Sequence, residues 1–248
     1  MGGSIVYSFL SSRKGAGALY VNVTNNCTNS CRFCGREAAI EGKRNIYEEK
    51  AGVPLVLGKR PEVEDIIREV EAKRKKPFLG FFGGTKEIAF VGLGEPLLEF
   101  GLVCNAIHAL RYHGYRGRIR IDTNGQVGWP ILFGCHEVYW PNPAHDLKLA
   151  GLTDIVVSLN ATSAEEYAKL CRPQFETASE TAFEIACKFI RNCISEGIRT
   201  SVSFVVGFDD GEVRTQRACD YIKWATSCFG IQSKRVIIGQ YVKPILEG

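Results

Sequence analysis

The residues best suited to chemistry are three cysteines set close together. Residues 25–35 read Asn-Asn-Cys-Thr-Asn-Ser-Cys-Arg-Phe-Cys-Gly, which spaces Cys27, Cys31 and Cys34 as C-x3-C-x2-C. Thiolates are the ligands of iron–sulfur clusters, and a cubane commonly takes four of them. No fourth cysteine stands nearby, so three ligands would leave one iron of a [4Fe–4S] cluster open to a substrate or cofactor. That is what a catalytic cluster needs and a plain electron carrier does not. Two other chemistries stay open at this spacing. Zinc would take a fourth ligand from a distant Cys or His. A redox pair of Cys31 and Cys34 would leave Cys27 unexplained.

Other polar segments close apolar runs further along. Gly92-Leu93-Gly94-Glu95-Pro96, Thr123-Asn124-Gly125, Ser158 with Asn160, and Val205-Val206-Gly207 each do so. Tyr20, Asn22, Arg120, Asp122, Ser201 and Ser203 are polar residues on otherwise apolar strand patterns. Buried without partners, each would cost about 1–3 kcal/mol, so they either line a substrate cavity or pair with one another. Arg172 is placed to clamp an anion or, beside Pro173, to close a helix. No Ser/His/Asp or Cys/His arrangement is present, and His108, His113, His136 and His145 are scattered. The other seven cysteines, Cys104, Cys135, Cys171, Cys187, Cys193, Cys219 and Cys228, are scattered too. Cys219 and Cys228 fall on a helix pattern and fit no clustered motif, so a single cluster is expected.

The elements that must position these residues alternate. Strand patterns cover 19–25, 87–93, 118–123, 154–159, 199–206 and 234–241; helix patterns cover 62–75, 99–112, 181–196 and 212–228. Pro61 suits a helix entry. Ser163 with Glu166, and Thr181 with Glu184, have capping-box spacing. Residues 125–152, rich in Pro and Trp, give no clear pattern. About six strand–helix units imply an α/β fold with parallel strands and helices outside. That is too few for a closed eight-unit barrel, and an open doubly wound sheet is equally allowed. Either arrangement puts ligands at the carboxyl ends of the strands. The 248 residues read as a single domain with a core of about 17–241.

Composition narrows the classes. Net charge is +4, too mild to argue for nucleic acid. The run Lys73-Arg74-Lys75-Lys76 closes a predicted helix, where cations suit the dipole. No apolar run approaches the ~20 residues that span a bilayer. The apolar stretch before Arg13 and Lys14 is too short for a signal peptide. A cytoplasmic protein is expected, with its thiols reduced and free to bind metal.

The triplet with Phe33 before its last cysteine, followed by the GLGEP segment, resembles the radical S-adenosylmethionine (SAM) superfamily. Leu19–Cys34, GLGEP, 154–161 and Tyr167–Pro173 together look like the small TatD-associated radical SAM proteins. The resemblance implies a partial TIM barrel, a (β/α)6 core. It implies that Cys27, Cys31 and Cys34 hold a [4Fe–4S] cluster. It further implies that Phe33, Gly92, Gly94, Glu95, Pro96, Thr123, Asn124, Ser158, Asn160 and Val206 surround SAM. An external one-electron reductant, of flavodoxin or ferredoxin type, would feed the cluster. SAM would then split into methionine and a 5′-deoxyadenosyl radical that takes hydrogen from a small-molecule substrate. For that substrate the candidate residues are Tyr20, Asn22, Arg120, Asp122, Arg172 and Ser203. An activase that places a radical on a partner protein, or a non-catalytic iron–sulfur or zinc protein, are the competing classes.

Overall fold

The computed structural model describes residues 3–8, 17–43, 46–74, 85–127, 141–174 and 181–242. Arg13, Lys14, Lys75, Lys76, Cys135, His136 and residues 128–140 of the Pro- and Trp-rich region lie outside them. In chain order the elements are β1 (Val6–Tyr7), β2 (Ala18–Val21), α1 (Arg36–Ile40), α2 (Ile46–Ala51), α3 (Val63–Arg74) and β3 (Glu87–Phe90). A 3₁₀ turn, Pro96–Glu99, leads into α4 (Phe100–Tyr112). Then come β4 (Arg118–Thr123), α5 (Pro143–Ala150), β5 (Asp154–Ser158), α6 (Ala164–Cys171), α7 (Ala182–Ser195), β6 (Arg199–Val206), α8 (Ala218–Phe229) and β7 (Val236–Gln240). The alternating α/β pattern with parallel strands is the one expected from the sequence.

The chain divides into two compact units. The first holds the described parts of Met1–Asn26, Gly35–Asp122 and Asp146–Thr153. There β1 pairs antiparallel with β2, and β2, β3 and β4 run parallel. Register puts Leu19, Ile88 and Ile119 in one row and Val21, Phe90 and Ile121 in another. All six are buried, and so is the apolar face of α3 and α4, with Ile66, Val70, Val103, Ile107 and Leu110 fully covered. This is the period-2 strand against period-3.6 helix that the sequence pattern requires. On the opposite strand face, Tyr20, Ala89 and Arg120 form the corresponding row.

The second unit holds the described parts of Cys27–Cys34, Thr123–His145 and Asp154–Gly248. Here β5, β6 and β7 run parallel, and α6, α7 and α8 bury Leu170, Ile190, Cys193 and Tyr221. Helix α7 starts with a complete capping box: Thr181 Oγ1 accepts from Glu184 N, and Glu184 accepts from Thr181 N. Helix α6 has half of one. Ser163 caps Glu166 N, but the Glu166 carboxylate accepts from Thr162 N at 2.7 Å instead.

Two boundaries differ most from the sequence reading. Strand β2 ends at Val21, short of the expected 25, where the Asn22 side chain leaves to hold Leu55 O. Helix α8 starts at Ala218, not 212, because 208–215 form a loop closed by the Asp209–Arg214 bridge. The short elements β1, α1, α2 and α5 carry too little periodicity to be seen in the sequence.

Candidate iron–sulfur loop and cofactor residues

The cysteine loop is fastened on several sides within the second unit. Residues 28–32 lie beside the end of α6. Asn29 bridges antiparallel to Pro173. Ser30 N donates to Arg172 O (3.1 Å), Arg32 N to Leu170 O (3.0 Å) and Gln174 N to Thr28 O (2.8 Å). Arg172 sits at φ 46°, the left-handed cap that ends α6. Its carbonyl therefore holds the loop, which is the structural role its sequence position allowed. The Arg32 guanidinium reaches Asp210 and Glu212, and Phe33 meets Phe208 edge-on at 6.0 Å.

Polar side chains pin the loop from within. Asn124 Nδ2 donates to Thr28 Oγ1 at 2.7 Å and lies 3.8 Å from Cys27 Sγ. Asn29 N lies 3.4 Å from the same sulfur. Gln126 Nε2 donates to Asn29 Oδ1 (2.6 Å) and to the Tyr167 hydroxyl (2.8 Å), and Asn29 Nδ2 donates to that hydroxyl too (2.9 Å). Thr28, Asn29, Gln126 and Tyr167 are all buried. Cys31 hydrogen-bonds with Cys171, and that contact, followed by burial, pushes its thiol well above the ordinary value. Burial pushes the Tyr167 phenol up as well. None of Thr28, Asn29, Gln126, Tyr167 or Cys171 stood out in the sequence. The available signals were Gln126 directly after Thr-Asn-Gly and the i, i+4 spacing of Tyr167 and Cys171.

A cluster needs thiolates that each take a different iron. Cys34 is exposed and Cys27 and Cys31 are half-buried, on a loop whose backbone is fixed by the bonds above. Two N–H groups face the Cys27 sulfur, as suits an ionised ligand sulfur. Among the described residues no three His, Cys, Asp or Glu side chains converge as the ligands of one ion would, which a cubane does not require of its thiolates. The donor set fits a [4Fe–4S] cluster.

The GLGEP residues belong to the first unit, where they lie along 22–26. Gly94 N donates to Thr24 O (3.1 Å) and Glu95 N to Asn26 O (2.7 Å). A Cβ on Gly92 would sit 1.9 Å from Asn22 Oδ1, and one on Gly94 would sit 2.4 Å from Asn26 O. Close backbone approach thus requires both glycines. Glu95 caps the 3₁₀ turn by accepting from Leu97 N (2.9 Å), with Pro96 next in the favoured first position. Asn22 Nδ2 donates to Leu55 O (2.6 Å), while its Oδ1 is buried without a partner. Asn25 holds Leu57 through both N–H and C=O.

The remaining sequence candidates fall as follows. In the first unit Arg120 bonds to both Glu87 (3.1 Å) and Asp122. Burial raises the Asp122 carboxyl above its usual range, against the pull of Arg120. Tyr20 stacks on Tyr7 with centroids 5.5 Å apart. Each of these residues thus contacts a neighbour. In the second unit Ser158 and Ser203 share a hydrogen bond of 3.0 Å. Asn160, left-handed at φ 59°, accepts from Val205 N at 3.0 Å. Thr123 Oγ1 caps Gly125 N (3.0 Å), and the Val206 carbonyl accepts from Tyr241 N (2.8 Å).

Known proteins resemble the chain over most of its length. A family model described as the Radical SAM superfamily matches residues 21–216. A protein named "Probable GTP 3',8-cyclase" from Aeropyrum pernix is 28% identical over 196 residues, covering 78% of this chain and 44% of the relative. The chain thus spans less than half the length of that relative. Streptococcus suis SuiB, solved with bound S-adenosylmethionine, superposes with a TM-score of 0.58 at 12% identity, over 93% of this chain and 42% of SuiB. HydG, a maturase of the [FeFe]-hydrogenase, gives 0.55 at 16% identity, over 92% and 43%. Identities this low show a shared fold, and it is the partial-barrel α/β fold expected.

Proposed function

The chain belongs to the radical SAM superfamily, and we propose that it starts radical chemistry on a small molecule from a single cluster held by Cys27, Cys31 and Cys34. It is a radical SAM enzyme, and its cofactors are a [4Fe–4S] cluster and SAM. When bound and reduced by the external donor, the cluster would pass one electron to SAM, giving methionine and a 5′-deoxyadenosyl radical able to take hydrogen from a substrate. In this proposal residues 1–248 form one radical SAM domain with a core of about 17–241.

The protein's own part is to hold and shield. The observation that carries the reading is the fixed loop around Cys27, with Asn29 N and Asn124 Nδ2 facing its sulfur. Phe33, at the last cysteine, is steadied by Phe208. Gly92, Gly94, Glu95 and Pro96 would offer SAM a backbone edge and a carboxylate. In the second unit Thr123, Asn124, Ser158, Asn160 and Val206 are the cofactor candidates, with hydroxyl, amide and backbone groups at strand ends. Of the substrate candidates, Tyr20, Asn22 and Asp122 keep that role in the proposal. Arg120, Arg172 and Ser203 would act mainly by positioning: Arg120 holds Glu87, the Arg172 carbonyl holds Ser30 and Ser203 holds Ser158. An external one-electron reductant is the partner, and the cytoplasm is the proposed compartment. Among the described residues no helix is long and apolar enough to cross a membrane.

The test is anaerobic reconstitution followed by iron analysis and electron paramagnetic resonance (EPR). We expect about four irons per chain and a reduced-cluster signal that changes when SAM is added. GTP is the first substrate to try, on the strength of the relative's name. About eight irons would contradict a single cluster. A signal indifferent to SAM would favour the non-catalytic class.

A further inference from the structure

In the first unit, Arg118, Arg120 and Asp122 alternate along β4 with the buried Ile119 and Ile121. They therefore share the strand face opposite the buried apolar rows. Arg120 spends its donors on neighbours: Nε donates to Glu87 Oε1 (3.1 Å) and Nη1 to Asp122 Oδ1. Glu87 also faces Arg118 at 3.4 Å. Glu87 is thus shared by two cations. Asp122, at the carboxyl end of β4, meets one, through one oxygen. Its other oxygen accepts no hydrogen bond from the described residues, and 29% of the side chain is exposed. That end of a parallel strand is where such folds place their ligands.

Two further observations lie beside it. Tyr20 stands in the same row as Arg120, across the small Ala89. Its ring is half-buried and braced by stacking on Tyr7. Asn22, just past the end of β2, carries a buried amide oxygen with no hydrogen-bond donor. This strand end is therefore rich in acceptors. A carboxylate or phosphate would have to displace Asp122 or Glu87 to reach Arg120. A cation would find a carboxylate oxygen and an aromatic face, the pair of groups that recognises charged nitrogen.

We propose that the substrate carries a cationic nitrogen, which Asp122 takes by a charge-assisted hydrogen bond and Tyr20 takes against its ring. Arg120 and Glu87 are positioning residues that fix the Asp122 carboxylate by its other oxygen. The inference deepens the proposed function and rests on its reading of Tyr20 and Asp122 as substrate residues.

The experiment is calorimetric titration of the anaerobically reconstituted, SAM-loaded chain with benzamidine and with benzoate, which have similar shape and opposite charge. Benzamidine should bind wild type and benzoate should not. Asp122→Asn should weaken benzamidine roughly tenfold or more, and Asp122→Glu, which keeps the charge, should recover part of that loss. Tyr20→Leu should weaken it about threefold, and it tests the site if Asp122→Asn folds poorly. SAM should bind Asp122→Asn as it binds wild type. Benzoate binding as tightly as benzamidine, no binding of benzamidine by wild type, or equal benzamidine affinity in wild type and Asp122→Asn would each overturn the inference. So would a matching loss of SAM affinity in Asp122→Asn, which would give the carboxylate to the cofactor. EPR of the same samples reads the underlying proposal separately, since a signal indifferent to SAM would contradict that proposal whatever the calorimetry shows.

Discussion

A methyl group at Gly92 would have to displace Asn22 Oδ1, which lies 1.9 Å from where its Cβ would fall. Asn22 is itself strapped to Leu55, so it cannot swing away without losing that bond. Gly92→Ala should therefore destabilise the chain by about 1–3 kcal/mol, read as a lower urea midpoint. Gly101, near the start of α4 with nothing within 4 Å of a Cβ, is the control. Gly101→Ala should stabilise by about 0.5–1 kcal/mol. The sequence showed that the GLGEP glycines matter. It could not show the reason, because Asn22, Thr24 and Asn26 are remote in the chain and meet GLGEP only after β2 and β3 pair. The triplet was legible because ligand spacing is local. Of its supports, Asn124 was named as a strand-end candidate, but Gln126, Tyr167 and Cys171 were not tied to the triplet, because they come from other elements.

At the level of elements, the two capping motifs had the same spacing yet fold differently. Thr181 and Glu184 close their box, so Thr181→Ala should cost about 1 kcal/mol. At α6 the Glu166 carboxylate serves Thr162, Gln216 and Tyr221. Ser163→Ala therefore removes one bond and leaves that network intact, and it should cost less than Thr181→Ala in the same urea titration. An equal or larger loss would contradict the account. Strands β4 and β6 were legible to the residue, because alternation runs their full length. Helix α8 was read six residues too early, because Val213, like the apolar residues of α8, fits a helical period although Asp209 and Arg214 hold it in a loop. Tertiary pairing overrides local period there.

At the level of the whole molecule, several surface carboxylates are held below their ordinary range by hydrogen bonds. Arg68 does this for Asp65, Lys169 for Glu165, and the Thr181 backbone N–H for Glu184. Gly211 N does it for Asp209, Val213 N for Asp210, and Arg217 for Asp220. A depressed folded-state pKa means that the unfolded chain binds more protons in the acid range. The stability these groups add is present at neutral pH and is lost as pH falls through their folded values. Each contributes little, being exposed. Together they should lower the melting temperature of the cluster-free protein below about pH 4; a flat profile there would contradict this. The alternating α/β order and parallel strands were legible in the sequence, since periodicity and crossover rules fix them. The two compact units were not, because each gathers segments distant in the chain. The central claim is that Cys27, Cys31 and Cys34 hold a cluster that cleaves SAM. It is tested most directly by reducing the reconstituted protein with SAM present and measuring 5′-deoxyadenosine and methionine. The account predicts that both form in equal amounts, and that neither forms when the three cysteines are replaced by alanine. An intact, reducible cluster that yields neither product would contradict it.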